Sequence, residues 1–380
     1  MKPEKSLTDR RYLYRNSGIE LLKIIAIILI AINHTTQSVQ SESLFPFLKL
    51  QVISADVNAL FLNMFRTFGM IGNLLFFACS SWFLLDSKKS NKQKVFSMLF
   101  DIWTVSFIFL LAFIAFDRKD VTSVDVFKSL LPTTNSNNWY LTFYILFYLA
   151  HPYINYAIYK MSKAQLLRIT LVTVALYHVL HFVIARWFFG GDFFYMTTLY
   201  FVMAYIKLHM NSFSENKKLN LILLLLSLSA QFLGMSLHNF LGLKYQVFNH
   251  LFDHWMNNYS PFVIVIAITS FNLFRQLKFT NKFINYLSSL SLLIYIIHEN
   301  ILFRQYCRPL LLKRFADICG TEYIVPEVVI FAFALFIASA ILACFYKELP
   351  GKLVKRISAA TFSLIRKLYL QAEKKLLTLK

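Results

Sequence analysis

The stretch SGIELLKIIAIILIAINHTTQ, from Ser17 to Gln37, decides the fold class of this chain. Between Ile24 and Ile32 it contains no polar side chain, and the whole stretch is long enough to cross a lipid bilayer as one helix. It nevertheless carries three ionisable residues, Glu20, Lys23 and His34. Ionisable side chains at such depth are unfavourable to bury and are usually retained because they serve a function.

Lys23 and His34 lie on one face of this predicted helix. They are eleven residues apart, which at 100° per residue is three turns plus about 20°. Their separation along the helix axis is roughly 16 Å, about half the thickness of the hydrocarbon layer. A cation near one membrane surface and a titratable base toward the other predict a site that crosses the bilayer.

The composition predicts an all-α, polytopic integral membrane protein. Of the 380 residues, 57% are hydrophobic and only 15% are charged, whereas soluble proteins have about 25% charged residues. Apolar runs recur often enough to predict about ten transmembrane helices in a single bundle. We place these helices near residues 18–38, 68–86, 96–116, 138–158, 166–188, 192–209, 219–240, 258–274, 285–303 and 326–348. Residues 1–350 then form one membrane domain, and residues 351–380 form a basic amphipathic tail.

The formal net charge of +20 is distributed unevenly along the chain. Segments on the predicted side of the two termini hold 27 Lys and Arg residues, whereas the opposite loops hold 11. This positive-inside bias predicts a multi-pass protein of the cell (cytoplasmic) membrane with both termini in the cytoplasm. The basic charge suits anionic membrane lipids as partners, and we expect no nucleic-acid partner.

His34 is the side chain best suited to chemistry, because a neutral imidazole can take a proton from a hydroxyl near pH 7. Glu20 and Lys23 are spaced i,i+3, so each reduces the cost of burying the other. The alternative is that His34 is only a hydrogen-bonded histidine within a helix bundle. From the residues alone, the two interpretations have about equal weight.

Four segments of the chain resemble the motifs of one family. The run from Arg15 through GIELLK at 18–23 to His34 resembles the first-helix motif of the acyltransferase family 3 membrane proteins, which are bacterial integral-membrane O-acyltransferases. Three further segments match the family in the same order: NLLFFACSSWFL at 73–84, WYL at 139–141 followed by Tyr144, Pro152 and Asn155, and SLLIYIIH at 291–298. Together they extend from about residue 15 to residue 300.

The resemblance implies an acyltransferase domain over residues 1–350. Such a protein transfers an acyl group, typically acetyl from acetyl-CoA, to a hydroxyl of a cell-envelope or exported glycan. It implies His34 as the general base, with no bound cofactor, because acyl-CoA is a substrate. The donor-binding residues implied are Lys23, Glu20, Arg15, Ser80 and Ser81. Trp139 and Tyr140 would bind the acceptor, since aromatic rings with a polar edge suit sugars.

Three positions depart from the family pattern. Lys23 stands where the family usually has arginine, which keeps the charge but loses the bidentate fork. Ser81 replaces the usual glycine, which puts a close approach of ligand to that backbone in doubt. Glu20 replaces the commoner aspartate, which is a mild change.

Several alternatives stay open at this point. His298 or Glu299 could meet His34 across the bundle and fix its tautomer as catalytic residues, or could simply fasten their own helix by polar contacts. An acyl-enzyme on Ser80 or Ser81 ranks below direct transfer. We expect no metal site. The rival functions are a transporter or flippase for glycan precursors and a catalytically inactive partner in glycan synthesis.

Overall fold

The computed structural model describes residues 15–40, 53–116, 121–133, 138–184 and 191–378. Within these ranges every regular element is a helix, which confirms the all-α class. The predicted cytoplasmic segment at the amino terminus, residues 1–14, lies outside the described residues.

Helices account for most of the described residues. They are α1 (Ser17–Val39), α2 (Val57–Leu84), α3 (Lys92–Ala115), α4 (Ser123–Leu130), α5 (Trp139–Lys160), α6 (Lys163–Ile184), α7 (Asp192–His209), α8 (Asn211–Glu215), α9 (Lys217–Lys244), α10 (Pro261–Arg275), α11 (Lys282–Ser288), α12 (Ser291–His298), α13 (Arg308–Cys319), α14 (Ile324–Glu348) and α15 (Pro350–Thr378). Segments of 3₁₀-helix cover Gln246–Met256 and Thr321–Tyr323, and π-helical turns cover Ala175–Leu180 within α6 and Phe303–Cys307 before α13.

Six of these helices are long and apolar enough to cross a membrane. They are α1, α2, α3, α6, α9 and α14. The other four predicted spans are also helical, but α10 has only 15 residues and the segment 285–303 is divided between α11 and α12. The number of ten transmembrane helices therefore stays a prediction.

Helix α1 is the central element of the described structure. It packs most extensively against α2 and also contacts α10, α11, α12, α13 and α14. In the most apolar windows of α1 and α2, 67% of residues are buried, compared with 17% in α9. The polar residues of α1 are therefore inside the protein, whereas α9 presents most of its apolar surface outward, as a lipid-facing helix does.

The start of α1 is fixed by polar contacts, and its middle by a close helix crossing. The side chain of Asn16 accepts a hydrogen bond from the backbone N–H of Gly18 at 2.9 Å and donates to the carbonyl of Arg275 at 2.8 Å. At the crossing with α2, a Cβ on Gly72 would lie 2.6 Å from the carbonyl oxygen of Ala26. Glycine therefore lets the two backbones approach closely.

Helix α15 forms the carboxyl-terminal part of the described structure. Its Phe362 ring packs against Phe96 of α3, with 5.2 Å between the ring centroids. Leu364 and Leu368 are exposed, and basic residues alternate with such apolar ones along the helix. This pattern is typical of a helix that lies along a membrane surface, and the cytoplasmic position of the tail stays a prediction.

Candidate active site

His34, in the second half of α1, lies beside the carboxyl end of α12. Its Nδ1 is 2.9 Å from Oε1 of Glu299 and 3.3 Å from Nε2 of His298. An ionised carboxylate only accepts hydrogen bonds, so Nδ1 of His34 carries a proton and donates it to Glu299. The other ring nitrogen, Nε2, keeps its lone pair, and no described residue is hydrogen-bonded to it. The geometry therefore leaves Nε2 of His34 as the available base.

The tautomer of His298 follows from its own backbone contact. Its Nδ1 lies 2.7 Å from the carbonyl oxygen of Ile294, so this nitrogen is the donor. In the neutral ring, Nε2 then presents a lone pair to Nδ1 of His34. Glu299 and His298 thus both favour the proton on Nδ1, and both stabilise the imidazolium that forms when His34 takes a second proton.

Glu299 is a buried carboxylate held between two arginines. Nη1 of Arg308 donates to Oε1 at 2.5 Å, and Nη1 of Arg304 lies 3.4 Å from Oε2. Glu299 is 4% exposed, and a carboxylate buried to this extent requires such compensation to stay ionised. The two guanidinium groups therefore keep Glu299 available as an acceptor for His34.

Two consecutive residues at the end of α12, His298 and Glu299, both contact His34. Helix α12 ends at His298, and Glu299 follows as its C-cap. The side chain of Asn300 then accepts a hydrogen bond from the N–H of Leu302 at 3.1 Å and starts the next helical turn. In a continuous helix, side chains of adjacent residues would point about 100° apart. At this helix end, His298 and Glu299 both contact His34 of α1.

The same three side chains could ligate a cation by distance alone. One ligand atom from each of His34, His298 and Glu299 lies within 4.8 Å of the other two. However, the carboxylate is already bonded to two guanidinium groups, and the ligand nitrogen of His34 donates a proton to it. This donor set fits proton transfer better than cation binding.

A second polar cluster surrounds Glu20 in the first turns of α1. Lys23 Nζ lies 3.3 Å from Glu20 Oε2, and Arg15 Nη1 lies 3.8 Å from Oε1. The hydroxyl of Ser288, at the end of α11, donates to the same carboxylate at 2.5 Å. The side chain of Glu20 is 6% exposed, whereas that of Lys23 is 19% exposed, so the cation is the more accessible partner.

Further cations extend this cluster around the end of α2. Lys94, in the first turn of α3, is near enough to Lys23 and Arg15 to interact electrostatically with both. Lys207 and Arg275 both lie over the ring of Trp82, at 4.7 Å and 4.8 Å from its centroid. We call this set the inner basic cluster: Arg15, Lys23, Lys94, Lys207 and Arg275. Its acidic neighbours among the described residues are Glu20, Asp86 and Glu215, which are fewer than its five cations. The excess positive charge attracts anions.

The hydroxyl groups of Ser80 and Ser81 both donate hydrogen bonds to backbone carbonyls of α2. Ser80 Oγ donates to the carbonyl of Phe76 at 3.2 Å, and Ser81 Oγ donates to that of Phe77 at 2.8 Å. Ser81 is fully buried. Within the described structure neither hydroxyl is hydrogen-bonded to His34, so the geometry does not pair a serine with the base.

A series of neighbouring aromatic rings connects the predicted acceptor-binding residues, Trp139 and Tyr140, with His34. Trp139 and Tyr140 begin α5, with 5.8 Å between their ring centroids. The ring centroids of Tyr140 and Tyr295 are 6.2 Å apart, and those of Tyr295 and His34 are 6.4 Å apart. Tyr140 is buried, with no hydrogen-bond partner for its hydroxyl within the described ranges, whereas Trp139 is half-buried. An aromatic path therefore leads from the start of α5 to His34.

A protein-family model described as an acyltransferase domain matches residues 16–364, nearly the whole chain. The chain belongs to acyltransferase family 3. The assignment predicted from four sequence motifs is thereby confirmed, and with it the general activity of a membrane acyltransferase. No curated protein and no solved structure is significantly similar to the chain.

Several residues at the site of this family 3 acyltransferase were not identified by sequence reasoning. They include Ser288, Lys94 and Arg308, together with Lys207, Arg275 and Arg304. Ser288 and Lys94 resemble many other polar residues at helix ends. Arg308 counts in the sequence as one of four cations in a predicted external segment, and only the fold reveals that it is buried against Glu299.

Proposed function

We propose that this protein is a membrane O-acetyltransferase that moves an acetyl group from cytoplasmic acetyl-CoA to a hydroxyl of a cell-envelope or exported glycan. The observation that carries this proposal is the 2.9 Å contact between Nδ1 of His34 and Glu299, which leaves Nε2 as a base. Family membership supplies the reaction class. The donor, the acceptor and the roles of single residues are proposals that rest on the geometry of the site.

The proposed reaction is a direct transfer. Nε2 of His34 takes the proton of a glycan hydroxyl while the hydroxyl oxygen attacks the thioester carbonyl. The tetrahedral intermediate then breaks its carbon–sulfur bond, which leaves an acetyl ester on the glycan and a CoA thiolate. The imidazolium returns its proton to this thiolate, so His34 is neutral again at the end of the cycle. Glu299 stabilises the imidazolium during the two steps.

The inner basic cluster supports an anionic donor. CoA carries several phosphate charges, and lysine and arginine side chains bind such groups by charge-assisted hydrogen bonds. Lys23 is the partly accessible cation of the cluster on the helix that also carries His34. We therefore assign Lys23 to the donor's negative groups and expect the thioester arm to run along α1 toward His34.

The aromatic path from α5 supports a sugar acceptor. Trp139 presents a half-buried ring at the start of α5, and Tyr140 brings a hydroxyl without a described partner toward Tyr295. Sugars combine apolar ring faces with hydroxyl groups, and aromatic rings that carry a polar edge match both. The path ends beside His34, where the hydroxyl to be acylated must lie.

The test compares base-labile acetate on surface polysaccharide in wild type, a deletion strain and a strain that carries His34→Ala. His209→Ala is the matched control, because this partly exposed histidine at the end of α7 lies outside the site. Washed membranes with radiolabelled acetyl-CoA give the rate directly. We expect His34→Ala to lower the transfer rate by about 10²- to 10⁴-fold, which is the usual contribution of a general base.

The outcomes of this comparison distinguish the proposed enzyme from a transporter and from an inactive partner. If only the deletion strain loses ester while His34→Ala keeps the normal rate, the protein is required but its base is not His34. If ester persists in all strains and the amount of exported polysaccharide changes, a transporter is the better interpretation. If neither ester nor acetyl-CoA consumption depends on the protein, an inactive partner in glycan synthesis is favoured.

A further inference from the structure

Arg308 is the largest side chain that is almost completely buried in the described structure, at 1% exposure. Its Nη1 donates to Oε1 of Glu299 and lies 3.4 Å from the carbonyl oxygen of His298. Its Nε donates to the hydroxyl of Ser38 at 2.9 Å. A buried guanidinium group is unfavourable unless its donors are paired, and here three partners from the site itself provide the pairing.

An irregular backbone brings Arg308 to Glu299. The two residues are nine positions apart, and in a regular α-helix nine residues make two and a half turns, which would place them on opposite faces. Here the chain bends after Glu299 and then forms the π-helical turn Phe303–Cys307 directly before Arg308. Such turns are rare and occur frequently at functional sites. The bend and the turn together return the guanidinium group to the carboxylate.

The contact with Ser38 connects Arg308 to the helix that carries the base. Ser38 is four residues after His34 in α1, and its hydroxyl donates to the carbonyl oxygen of His34 at 3.2 Å. The guanidinium group therefore bonds to α1, to the end of α12 and to the carboxylate at the same time. This arrangement fixes the position of Glu299 relative to His34 from both sides.

We infer that Arg308 is a positioning residue that holds Glu299 in the orientation and charge state that His34 needs. This inference rests on the proposed function, because it assigns Arg308 a role through the proposed base. Among the described contacts, Arg308 does not reach Nε2 of His34, so it acts through Glu299, the carbonyl of His298 and the Ser38 hydroxyl of α1.

Arg308 is also the closer of the two arginines that compensate the charge of Glu299. Nη1 of Arg308 lies 2.5 Å from Oε1 of the carboxylate, whereas Nη1 of Arg304 lies 3.4 Å from Oε2 and its side chain is 32% exposed. Without Arg308, the buried carboxylate would lack its nearest cation, and a buried carboxylate without such a partner is unfavourable. Arg308 therefore favours the ionised carboxylate that accepts the hydrogen bond from His34.

The experiment measures kcat and the KM for acetyl-CoA for Arg308→Gln and Arg308→Lys in washed membranes. Arg314→Gln is the matched control, since Arg314 is exposed on the same helix. We expect Arg308→Gln to lower kcat on the order of 100-fold with little change in KM, as misplaced catalytic groups do. Arg308→Lys restores part of kcat, since lysine keeps the charge but lacks the fork.

A double variant keeps the inference testable if Arg308→Gln alone fails to fold. Glu299→Gln with Arg308→Gln removes both buried charges, so no uncompensated ion remains. If Arg308 acts through Glu299, adding Arg308→Gln to Glu299→Gln lowers kcat by no more than about threefold. Fully additive losses, or a kcat unchanged in Arg308→Gln, would overturn the inference.

The measured rates of the His34 and Arg308 variants distinguish a failure of this inference from a failure of the proposed function. If His34→Ala abolishes transfer while Arg308→Gln has wild-type kinetics, only the role of Arg308 is wrong. If His34→Ala keeps its activity, the proposed base is wrong, whatever Arg308 does.

Discussion

Lys23 is the cation on α1 that we assign to the negative groups of the acyl donor. Its Nζ pairs with Glu20 at 3.3 Å, and its side chain stays partly accessible. We expect Lys23→Met to raise the KM for acetyl-CoA roughly 10- to 100-fold, because it removes hydrogen bonds to a charged group. The kcat at saturating donor should change much less, since His34 is untouched. Initial rates at varied acetyl-CoA concentration measure both quantities.

Two further variants control the Lys23 measurement. Lys163→Met removes an exposed lysine from the first turn of α6 and should leave the KM unchanged. Lys23→Arg keeps the charge and should retain most of the donor affinity. A Lys23→Met protein with a normal KM and a reduced kcat would contradict the assignment of Lys23 to the donor.

The sequence is most informative for site residues that share one helix. Glu20, Lys23 and His34 all lie on α1, so the helical period alone relates them to one another. The meeting of His34 with Glu299 depends on the packing of α12 against α1, which no local pattern encodes. The resemblance to the family indicates that the segment of α12 belongs to the site. Only the fold shows how this segment is oriented relative to His34.

At the scale of helices, the crossing of α1 and α2 depends on Gly72. A Cβ at this position would lie 2.6 Å from the carbonyl oxygen of Ala26 and 2.8 Å from a side-chain carbon of Ile30. Gly72→Ala should therefore force the helices apart and lower the free energy of unfolding by about 1–3 kcal/mol. Thermal unfolding of the detergent-solubilised protein measures this change.

Gly191 provides the matched glycine for this comparison. No atom of the described residues lies within 4 Å of a Cβ built there, so Gly191→Ala should leave the thermal midpoint unchanged or slightly raised. Equal midpoints for the two alanine variants would mean that the crossing tolerates a wider spacing than the structure has.

The division of one apolar segment into α11 and α12 marks the limit of sequence reasoning about elements. The stretch 285–303 contains enough apolar residues to predict one continuous span. The structure instead ends α11 at Ser288, where the side chain bonds to Glu20, and starts α12 at Ser291. Hydropathy reports how apolar a segment is. It does not report where a helix ends at a polar contact with another helix.

At the scale of the whole molecule, the charge bias predicts on which side of the membrane each segment lies. Cys319 is exposed at the end of α13, in a predicted external segment. Lys367 is exposed on α15, in the predicted cytoplasmic tail. A membrane-impermeant maleimide should therefore label Cys319 in intact cells, whereas Lys367→Cys should react only after the cells are opened. Mass spectrometry of the two peptides distinguishes the sites, and the reverse pattern would invert the predicted topology.

The polar residues of α1 are divided between its two ends, with Lys23 in its first half and His34 in its second. Under the proposed function, the nucleotide part of the donor stays at one end while the sugar is modified at the other. The bilayer is then crossed by a two-carbon fragment and not by a whole coenzyme. A cell that modifies its outer glycans in this way exports only acetate in ester form and returns each coenzyme molecule to its own metabolism.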